Sequence, residues 1–524
     1  MKENKKRIQK PSKKNVANFF CGRMFIFGLL ILLQFVFFTV LILKLSERAG
    51  QVMLALQWLS LAVVVWLVSK DENPSYKLAW VIAIMTFPIL GGLYYVFFGN
   101  KRMPRTQKEK VIGYGTGVAK KMRKFAEKNE GVIDDLKEKD KDIGSRANYI
   151  SRSSYFPVCE NTSADYFPLG EDKFEKLKEE LKKAEKFIFM EYFIIQEGKM
   201  WNPILEILTQ KVKEGVEVRV MFDDMGCLQT LPTNYAEVLE SRGIQCAIFN
   251  PFKPHLNMAM NYRDHRKICV IDGNVGFCGG INLADEYINA YAKHGHWKDT
   301  AVVLYGDAVW NLTMMFLTLW DFTQNESDID YSKYMPTKHY ESDGYVQPYG
   351  DVPLDDINLG ENVYMQTINR ANDYVYITTP YLILDNEMVT ALKTAAESGI
   401  DVRIITPHIA DKWYVHIVTR SYYMPLLKSG VKIYEYTPGF VHAKMFVSDD
   451  KSAIVGTTNM DYRSFYLHFE CGVCFYYSSI VDKVKDDVLK TIRQSQEITI
   501  DEMNKTGIFK RILAAIIRIF APMM

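Results

Sequence analysis

His265-Arg-Lys-Ile-Cys-Val-Ile-Asp272 is the stretch of sequence that decides the fold, because its pattern occurs again as His442-Ala-Lys-Met-Phe-Val-Ser-Asp449. In both copies the lysine comes two residues after the histidine, and the aspartate comes seven residues after the histidine. The two histidines are 177 residues apart. A Gly-x-x-Asn motif follows each copy, at Gly279 to Asn282 and at Gly456 to Asn459. Residues that repeat in the same order with the same spacing indicate a duplicated unit.

The sequence around the motifs predicts an α/β fold. A helix over 173–186 precedes a strand over 187–195, and a second strand follows over 216–222. The same order returns as a strand over 374–377, a helix over 387–398 and a strand over 400–405. Gly215-Val-Glu-Val-Arg219 also aligns with Gly399-Ile-Asp-Val-Arg403. Strands that alternate with helices in two matching series predict two α/β halves.

The motifs supply the candidate catalytic residues, which are His265, Lys267, Asp272, His442, Lys444 and Asp449. On a strand, residues two apart face the same side, so each histidine should share a surface with its lysine. An imidazole beside an ammonium group suits an anionic substrate such as a phosphate, and Asn282 and Asn459 could add neutral donors. The aspartates have the opposite parity, so we expect them to be structural partners at the strand end.

The N-terminal hundred residues carry most of the strong hydrophobicity of this 524-residue chain, which has 24% charged residues overall. Uncharged stretches cover 24–43, 51–69 and 78–100, each near the length of a membrane-spanning helix. Basic residues flank both ends of this region, so the positive-inside rule places both ends in the cytoplasm. We therefore expect a multi-pass protein of the cell membrane with a cytoplasmic catalytic body. Pro88, Gly91 and Gly92 make the third stretch the candidate for a re-entrant hairpin; three full spans with an outward body are the alternative.

The twin motifs resemble those of the phospholipase D superfamily, and the finer sequence looks like the bacterial cardiolipin synthases. This second likeness rests on six segments, namely Asn73 to Trp80, Phe97 to Asn100, Asn261 to Lys267, Gly279 to Tyr287, Trp297-Lys-Asp299, and Asn459 to Phe465 with Glu470. The resemblance implies two α/β/α halves related by a pseudo-twofold axis, preceded by a membrane-helix region. One departure is His468, where the resemblance leads us to expect asparagine.

The resemblance also implies a mechanism and a substrate. His265 would attack phosphorus to form a phosphatidyl-histidine, and His442 would act as general acid and then as base. Glu470 would orient His265, and Asp299 would orient His442. Two phosphatidylglycerol molecules would give cardiolipin and glycerol, without a metal or any other cofactor. Anionic membrane lipids are the expected partners, no nucleic acid is expected, and the oligomeric state stays open.

These expectations divide the chain into six segments. They are a basic tail (1–23), a membrane region (24–100), a basic and charged linker (101–145), a first phospholipase D-like half (146–345), a second half (346–500) and a C-terminal segment (501–524). In the last segment, residues 508–520 place Lys510, Arg511 and Arg518 in one sector of an otherwise apolar helix. Such a helix would lie at the membrane interface with its basic face toward lipid phosphates. A core-packing helix is the alternative.

Several other functions compete with a synthase. A phospholipase D-type hydrolase would use the same residues, since water and an alcohol can share one general base. A nuclease is disfavoured by the net charge of only +2, and a silent scaffold by the intact twin motifs. His255, His294 and His296 could form a zinc site, but the motif lysines disfavour a metal. Cys471-Gly-Val-Cys474 lies in an apolar run and is expected to be a core feature.

Overall fold

The structure is a computed structural model that describes residues 49–70, 73–87, 91–92, 105–251, 261–324, 330–355 and 357–523, together with Val36 and Tyr95. The chain divides into a unit of residues 1–103 and 252–260 and a unit of residues 104–251 and 261–524. The predicted basic tail, the first hydrophobic segment apart from Val36, and His255 lie outside the described residues.

The N-terminal unit contains α1 (Ala49–Val68) and α2 (Pro74–Thr86). Helix α1 covers most of the second predicted hydrophobic segment. Helix α2 begins with proline, and the Asn73 side chain accepts a hydrogen bond from the Ser75 backbone N–H at 2.9 Å, which caps the helix. Among the described residues, no helix combines the length and the apolar character needed to cross a bilayer.

The first half of the second unit is built on a seven-stranded sheet with the order β1-β9-β7-β6-β2-β3-β4. Its strands are β1 (Thr162–Phe167), β2 (Phe187–Tyr192), β3 (Glu217–Asp223), β4 (Gln245–Phe249), β6 (Lys267–Ile271), β7 (Val275–Gly279) and β9 (Ala301–Gly306). Strands β2, β3 and β4 are parallel, and the remaining pairs are antiparallel. Two short strands, β5 (Arg263–Asp264) and β8 (His296–Lys298), pair outside this sheet.

The second half repeats this arrangement in the order β10-β17-β16-β15-β11-β12-β13, with β18 added at the edge. Its strands are β10 (Tyr345–Asp351), β11 (Tyr374–Thr378), β12 (Asp401–Pro407), β13 (Lys432–Tyr436), β14 (Gly439–Val441), β15 (Met445–Ser448), β16 (Ser452–Gly456), β17 (His468–Tyr476) and β18 (Ser495–Ile498). The strand order of the first half thus recurs strand for strand, and the predicted duplicated α/β architecture is confirmed.

Helices connect these strands and cover the sheets. In chain order they are α3 (Arg105–Lys128), α4 (Glu130–Lys139), α5 (Lys141–Ser154), α6 (Gly170–Lys182), α7 (Trp201–Lys213), α8 (Asp224–Cys227), α9 (Tyr235–Glu240), α10 (Val309–Gln324), α11 (Leu359–Asn369), α12 (Asn386–Glu397), α13 (Trp413–Ser421), α14 (Tyr423–Lys428), α15 (Tyr462–Tyr466), α16 (Ser479–Arg493), α17 (Ile500–Asn504) and α18 (Ile508–Ile519). The stretch expected to be a linker is therefore largely helical, and Lys121 of α3 forms an ion pair with Asp321 of α10.

The turns that open equivalent strands use glycine for the same reason in both halves. Gly215 precedes β3 with φ +89°, and Gly399 precedes β12 with φ +95°. A positive φ is accessible to glycine without a steric penalty, which explains why the aligned Gly-x-x-Val-Arg motif was visible in the sequence. Helix α10, buried from Val309 to Asp321, joins a core shared by both halves.

The structure corrects one local expectation around the motif histidines. Strand β6 begins only at Lys267, and β15 begins at Met445, so neither histidine shares a regular strand with its lysine. Instead, His265 follows β5, which pairs with β17 of the other half, and His442 follows β14, which pairs with β8 of the other half. The chain leaves its own sheet at each histidine because it pairs briefly with the opposite half.

The basic residues of α18 were expected to face lipid phosphates, but two of them contact the protein. None of its side chains is fully buried, which does not fit a core-packing helix. However, Arg518 donates to the backbone oxygen of Ser421 at 3.4 Å, and Arg511 donates to that of Asn504 at 2.6 Å. Both arginines thus hydrogen-bond to the protein, although Arg511 remains exposed, because the ends of neighbouring helices leave backbone carbonyls to be satisfied.

Candidate active site

Two short ladders between the halves position the motif histidines. Where β5 meets β17, the backbone N–H of His265 donates to the oxygen of Phe469 at 2.9 Å. Where β14 meets β8, the backbone N–H of His442 donates to the oxygen of Lys298 at 2.7 Å. Each ladder therefore places a histidine next to the residue that follows in the opposite strand, which is Glu470 in one case and Asp299 in the other.

Each imidazole contacts one buried carboxylate from the other half. His265 Nδ1 lies 3.0 Å from both carboxylate oxygens of Glu470, and His442 Nδ1 lies 2.6 Å from Asp299 Oδ2. Both carboxylates have no exposed surface. These are the contacts expected from motif position, and they are reciprocal. A carboxylate at Nδ1 fixes the ring and its tautomer, and it leaves Nε2 to face a substrate.

Glycine at position 280 allows Asp299 to approach. A Cβ atom placed on Gly280 would lie 2.1 Å from Asp299 Oδ1, closer than any side chain tolerates. The carboxylate also accepts a hydrogen bond from the Thr300 backbone N–H at 2.8 Å. A larger residue at 280 would therefore displace the carboxylate that contacts His442.

The motif lysines lie at the same centre as the histidines. The Nζ atoms of Lys267 and Lys444 each donate to the backbone oxygen of the histidine two residues earlier. Lys444 Nζ also lies 2.9 Å from His442 Nδ1. Burial lowers the pKa of Lys444 to about 7, because desolvation and the nearby Lys267 outweigh the attraction of Asp299 and Glu470. Two lysines, two carboxylates and two imidazoles therefore share one buried centre, and the lysines are the groups that can stabilise an anionic phosphate there.

The surroundings of both histidines lower their pKa values and so favour the neutral imidazole. Burial, with Lys444 adding repulsion, lowers the pKa of His442 to about 4, although Asp299 opposes the shift. Burial and the two motif lysines also hold the pKa of His265 well below its ordinary value. An anionic phosphate among these groups would favour the protonated imidazole and raise both pKa values.

The motif aspartates lie away from the histidines. Strand β6 separates Asp272 from His265, a distance of about 17 Å for a five-residue strand. The Asp272 carboxylate accepts hydrogen bonds from the backbone N–H groups of residues 185, 186 and 187 at 2.7 to 2.9 Å. Asp449 does the same for residues 372, 373 and 374 at 2.9 to 3.0 Å. In this geometry both aspartates accept hydrogen bonds from backbone N–H groups at a strand end, as structural partners do.

The two motif asparagines have different surroundings. Asn282 Oδ1 accepts from the Ile194 backbone N–H at 3.0 Å, and its Nδ2 donates to the Tyr287 hydroxyl at 2.7 Å. Asn459 is buried, and its Oδ1 has no hydrogen-bond partner. Asn282 is thus partly committed to the protein, whereas Asn459 keeps an unsatisfied polar atom that a ligand could meet.

His468 extends the contacts of the first histidine. Its Nδ1 lies 3.4 Å from Glu470 Oε1, and its ring centroid lies 5.4 Å from that of His265. Within the described residues, His265, His468 and Glu470 are the one group with the geometry of a metal site. Lys267 and Lys444 lie nearby and disfavour a divalent cation, so we assign the group to positioning rather than to metal binding.

Other residues singled out in the sequence have core or peripheral places. Cys471 and Cys474 lie in different core clusters, and Cys471 Sγ lies 3.5 Å from Cys278 Sγ as a free thiol. His296 Nδ1 lies 3.0 Å from the Tyr436 hydroxyl, and the His294 ring packs near Trp297. Neither histidine belongs to a metal-like group in the part of the chain that the structure describes.

Sequence reasoning missed a buried ionic network beneath the first histidine. Arg266 Nε lies 2.6 Å from Glu191 Oε1 and 3.4 Å from Asp264 Oδ1, and all three side chains are fully buried. Asp223 Oδ2 accepts from the Asp264 backbone N–H at 3.0 Å, which anchors β5 beside the end of β3. The visible signal was Glu191 itself, a charge inside the apolar run 187–195, since buried charges need partners.

The fold and the site together define a phospholipase D-like enzyme class, in which two duplicated halves supply one pair of motifs. The family described as "Cardiolipin synthase, PLD-like domain" matches residues 177–308 and 364–491, and "Phospholipase_D-nuclease N-terminal" matches 58–100. A cardiolipin synthase of Halalkalibacterium halodurans is 32% identical over 91% of this chain and 94% of its own length. The chain belongs to the cardiolipin synthase family of the phospholipase D superfamily.

Three further similarities agree with this placement. Cardiolipin synthase 2 of Bacillus cereus is 35% identical over 87% of this chain and 88% of its own length. An uncharacterized protein of Streptococcus mutans is 46% identical over 88% of this chain and 99% of its own length. The crystal structure of a phosphatidylserine synthase from Haemophilus influenzae superposes with a TM-score of 0.56 at 13% identity, covering 72% of this chain and 98% of that one. That structural likeness supports the fold.

Proposed function

We propose that this enzyme is a cardiolipin synthase, which transfers a phosphatidyl group from one phosphatidylglycerol to another and releases glycerol. The observation that carries the proposal is the reciprocal pairing of two buried imidazoles with carboxylates from opposite halves. This pairing gives one site two nitrogen groups with distinct surroundings, as a two-step exchange needs. Family membership favours this substrate over other phosphodiesters.

In the first step, His265 Nε2 attacks phosphorus and the bond from phosphorus to the glycerol oxygen breaks. Glu470 at Nδ1 stabilises the positive charge that develops on the ring as the phosphorus–nitrogen bond forms. His442 gives a proton to the departing glycerol oxygen. The shorter contact to a carboxylate belongs to His442, at 2.6 Å against 3.0 Å, which favours His442 as the ring that carries a proton.

In the second step, neutral His442 takes the proton from a hydroxyl of the second phosphatidylglycerol. That oxygen attacks phosphorus, the phosphorus–nitrogen bond breaks, and His265 is restored. Lys267 and Lys444 stabilise charge on the non-bridging oxygens in both steps. One ester bond replaces another, so the exchange needs no nucleoside triphosphate.

A hydrolase that uses the same histidines is the second candidate. The ring of Phe193 lies 5.1 Å from that of His265, and the rings of Tyr287, Trp297 and Phe440 lie 5.5 to 5.9 Å from that of His442. Aromatic rings beside both imidazoles make the surroundings of the reacting groups partly apolar, which suits a lipid alcohol better than water. This surrounding favours transfer over hydrolysis.

The placement in the cell is part of the proposal. The sequence predicts that the N-terminal region, 24–100, holds the enzyme in the cell membrane and that the body faces the cytoplasm. Residues 146–345 and 346–500 are assigned as the two halves related by a pseudo-twofold axis, and anionic lipids as the partners. Thiol reagents that cannot cross a membrane should then reach the body only from the cytoplasmic face.

Lipid analysis and adduct trapping test the reaction and the two histidine roles. Purified enzyme given phosphatidylglycerol alone should produce cardiolipin and glycerol by mass spectrometry; phosphatidic acid as the main product would favour the hydrolase. His442→Ala should lose turnover but retain a phosphatidyl adduct on His265, whereas His265→Ala should form none. An adduct on His442 would reverse the assignment.

A further inference from the structure

Exposed hydrophobic side chains are concentrated in one part of the catalytic unit. Among its described residues, fifteen large hydrophobic side chains are exposed, and ten of them lie in 409–414 or 500–520. They are Ile409, Trp413, Tyr414, Ile500, Ile508, Phe509, Ile512, Leu513, Ile516 and Phe520. Scattered exposed hydrophobics are ordinary, but a concentration of this kind marks a surface for a partner.

Helix α18 presents most of this set as one face. Ile508, Ile512 and Ile516 follow each other at four-residue spacing and are 51 to 63% exposed, and Phe509 beside them is 85% exposed. Residues four apart lie on the same side of a helix. The face is therefore continuous over more than two turns of α18.

The opposite side of α18 is fastened to the protein. Arg518 binds the backbone of Ser421 at the end of α13, and its guanidinium lies 3.9 Å from the Tyr422 ring centroid. Arg511 binds the backbone of Asn504 at the end of α17, and Ala521 beyond the helix is 2% exposed. The apolar face is thus outward because the helix is held in place, and not because the helix is frayed.

Helix α13 extends this exposed surface on the side of α18 that is next in space. It packs along α18 and begins with Trp413 and Tyr414, which are 64% and 38% exposed. Asp411, just before it, accepts from the Tyr381 hydroxyl at 2.6 Å, and it is close enough to His442 to interact electrostatically. Trp413 and Tyr414 follow Asp411 closely in the chain, and each side chain has an apolar ring and a polar group, as is common for residues at a membrane interface.

Charge complementarity identifies the partner. After Glu502 the chain has no acidic residue but has Lys505, Lys510, Arg511 and Arg518. The two arginines donate to neutral backbone oxygens in the contacts described above, so those contacts leave their positive charges uncompensated. An apolar face with uncompensated cations behind it suits an anionic lipid surface.

We propose that the outer face of α18, together with Trp413 and Tyr414, docks the catalytic unit onto an anionic bilayer. This inference rests on the proposed function for its purpose, which is to bring the site to a lipid substrate. It differs from the sequence expectation, because the apolar face enters the lipid while Arg511 and Arg518 stay against the protein.

A depth measurement on the full-length enzyme tests the docking without relying on activity. Leu513→Cys and Met335→Cys would each carry a thiol-linked bimane, with labelled wild type as background. Leu513 and Met335 are 40% and 39% exposed, and Met335 lies beside Gly273 at the end of β6 away from His265. In vesicles of phosphatidylglycerol with brominated phosphatidylcholine, quenching at 513 should be several-fold stronger than at 335, since interfacial helices reach about 5–10 Å into the bilayer. Equal quenching would overturn the proposal.

An activity comparison then separates docking from chemistry. Ile512→Ser with Ile516→Ser should lower turnover several-fold in phosphatidylglycerol vesicles but leave turnover in detergent micelles unchanged, and Met335→Ser should change neither. Equal loss in vesicles and micelles would make α18 a packing element and overturn the proposal. Loss of a dimer in light scattering of the same variant would assign the face to a second copy and overturn it as well. If neither the wild type nor any variant makes cardiolipin, the proposed function is wrong. The quenching result would still decide whether α18 docks on the bilayer.

Discussion

Glu470→Gln tests the contact on which the first step depends. The substitution keeps the size of the side chain but removes its charge, 3.0 Å from His265 Nδ1. A hydrogen bond to a charged group contributes about 1.5–3 kcal/mol, so the nucleophilic step should slow by about 10- to 150-fold. A second effect acts in the same direction, because Glu470 raises the pKa of the buried Lys267, which burial lowers. Without this carboxylate, the pKa of Lys267 should fall further.

The assay is the single-turnover rate of phosphatidyl-histidine formation in detergent micelles, where membrane docking plays no part. Glu435→Gln is the matched control, since Glu435 is also fully buried and lies 3.0 Å from the Nδ1 of His408. The hydrogen-bond partners of Glu435 are His408, Arg420 and Tyr423, none of which is a motif residue, so its loss should leave the adduct rate near the wild-type value. If Glu470→Gln slows adduct formation by less than about threefold, the change in activation free energy is under about 1 kcal/mol. That result would refute the argument that Glu470 positions His265.

Three other predictions follow from the same geometry. The pKa of Lys444 is lowered to about 7, so its side chain is a cation below that pH and neutral above it. In a pH–rate profile, kcat/KM should therefore fall as the pH rises through this value. The Lys444→Arg variant should show the same fall at a higher pH. Gly280→Ala should displace the Asp299 carboxylate and slow the proton-transfer steps by at least about tenfold, with burst kinetics as the readout; an unchanged rate would show that the carboxylate can move. Asp272→Asn should lower the free energy of unfolding by about 1–3 kcal/mol, because three backbone hydrogen bonds lose their charged acceptor. The rate of adduct formation should not change. Loss of the adduct without loss of stability would show instead that Asp272 takes part in catalysis.

The sequence predicted the elements that local pattern controls. The strand expected over 374–377 is β11 (Tyr374–Thr378), and the helix expected over 387–398 is α12 (Asn386–Glu397). Such elements are visible because burial imposes a period of two residues on strands and of nearly four on helices. The long apolar run 187–195 was less well bounded, since β2 ends at Tyr192 where the chain turns toward the site.

The direction of the α18 arginines shows where local pattern stops being informative. A helical projection identifies Lys510, Arg511 and Arg518 as one sector, but it does not say what that sector meets. The neighbouring ends of α13 and α17 offer backbone oxygens at the right places, and the arginines bind them. The orientation of the helix therefore depends on packing partners that are distant in sequence.

By itself, the sequence determined that the chain holds two copies of one α/β unit and that each copy carries a histidine, a lysine and an aspartate at fixed spacing. Motif position also named Glu470 and Asp299, but only through the family resemblance. The tertiary structure alone decided how the copies meet, since His265 and Glu470 are 205 residues apart and His442 and Asp299 are 143 apart. The ladders that join them, β5 with β17 and β14 with β8, are two and three residues long. Pairings this short have no periodicity to read, and they form only because the two sheets pack around a shared core.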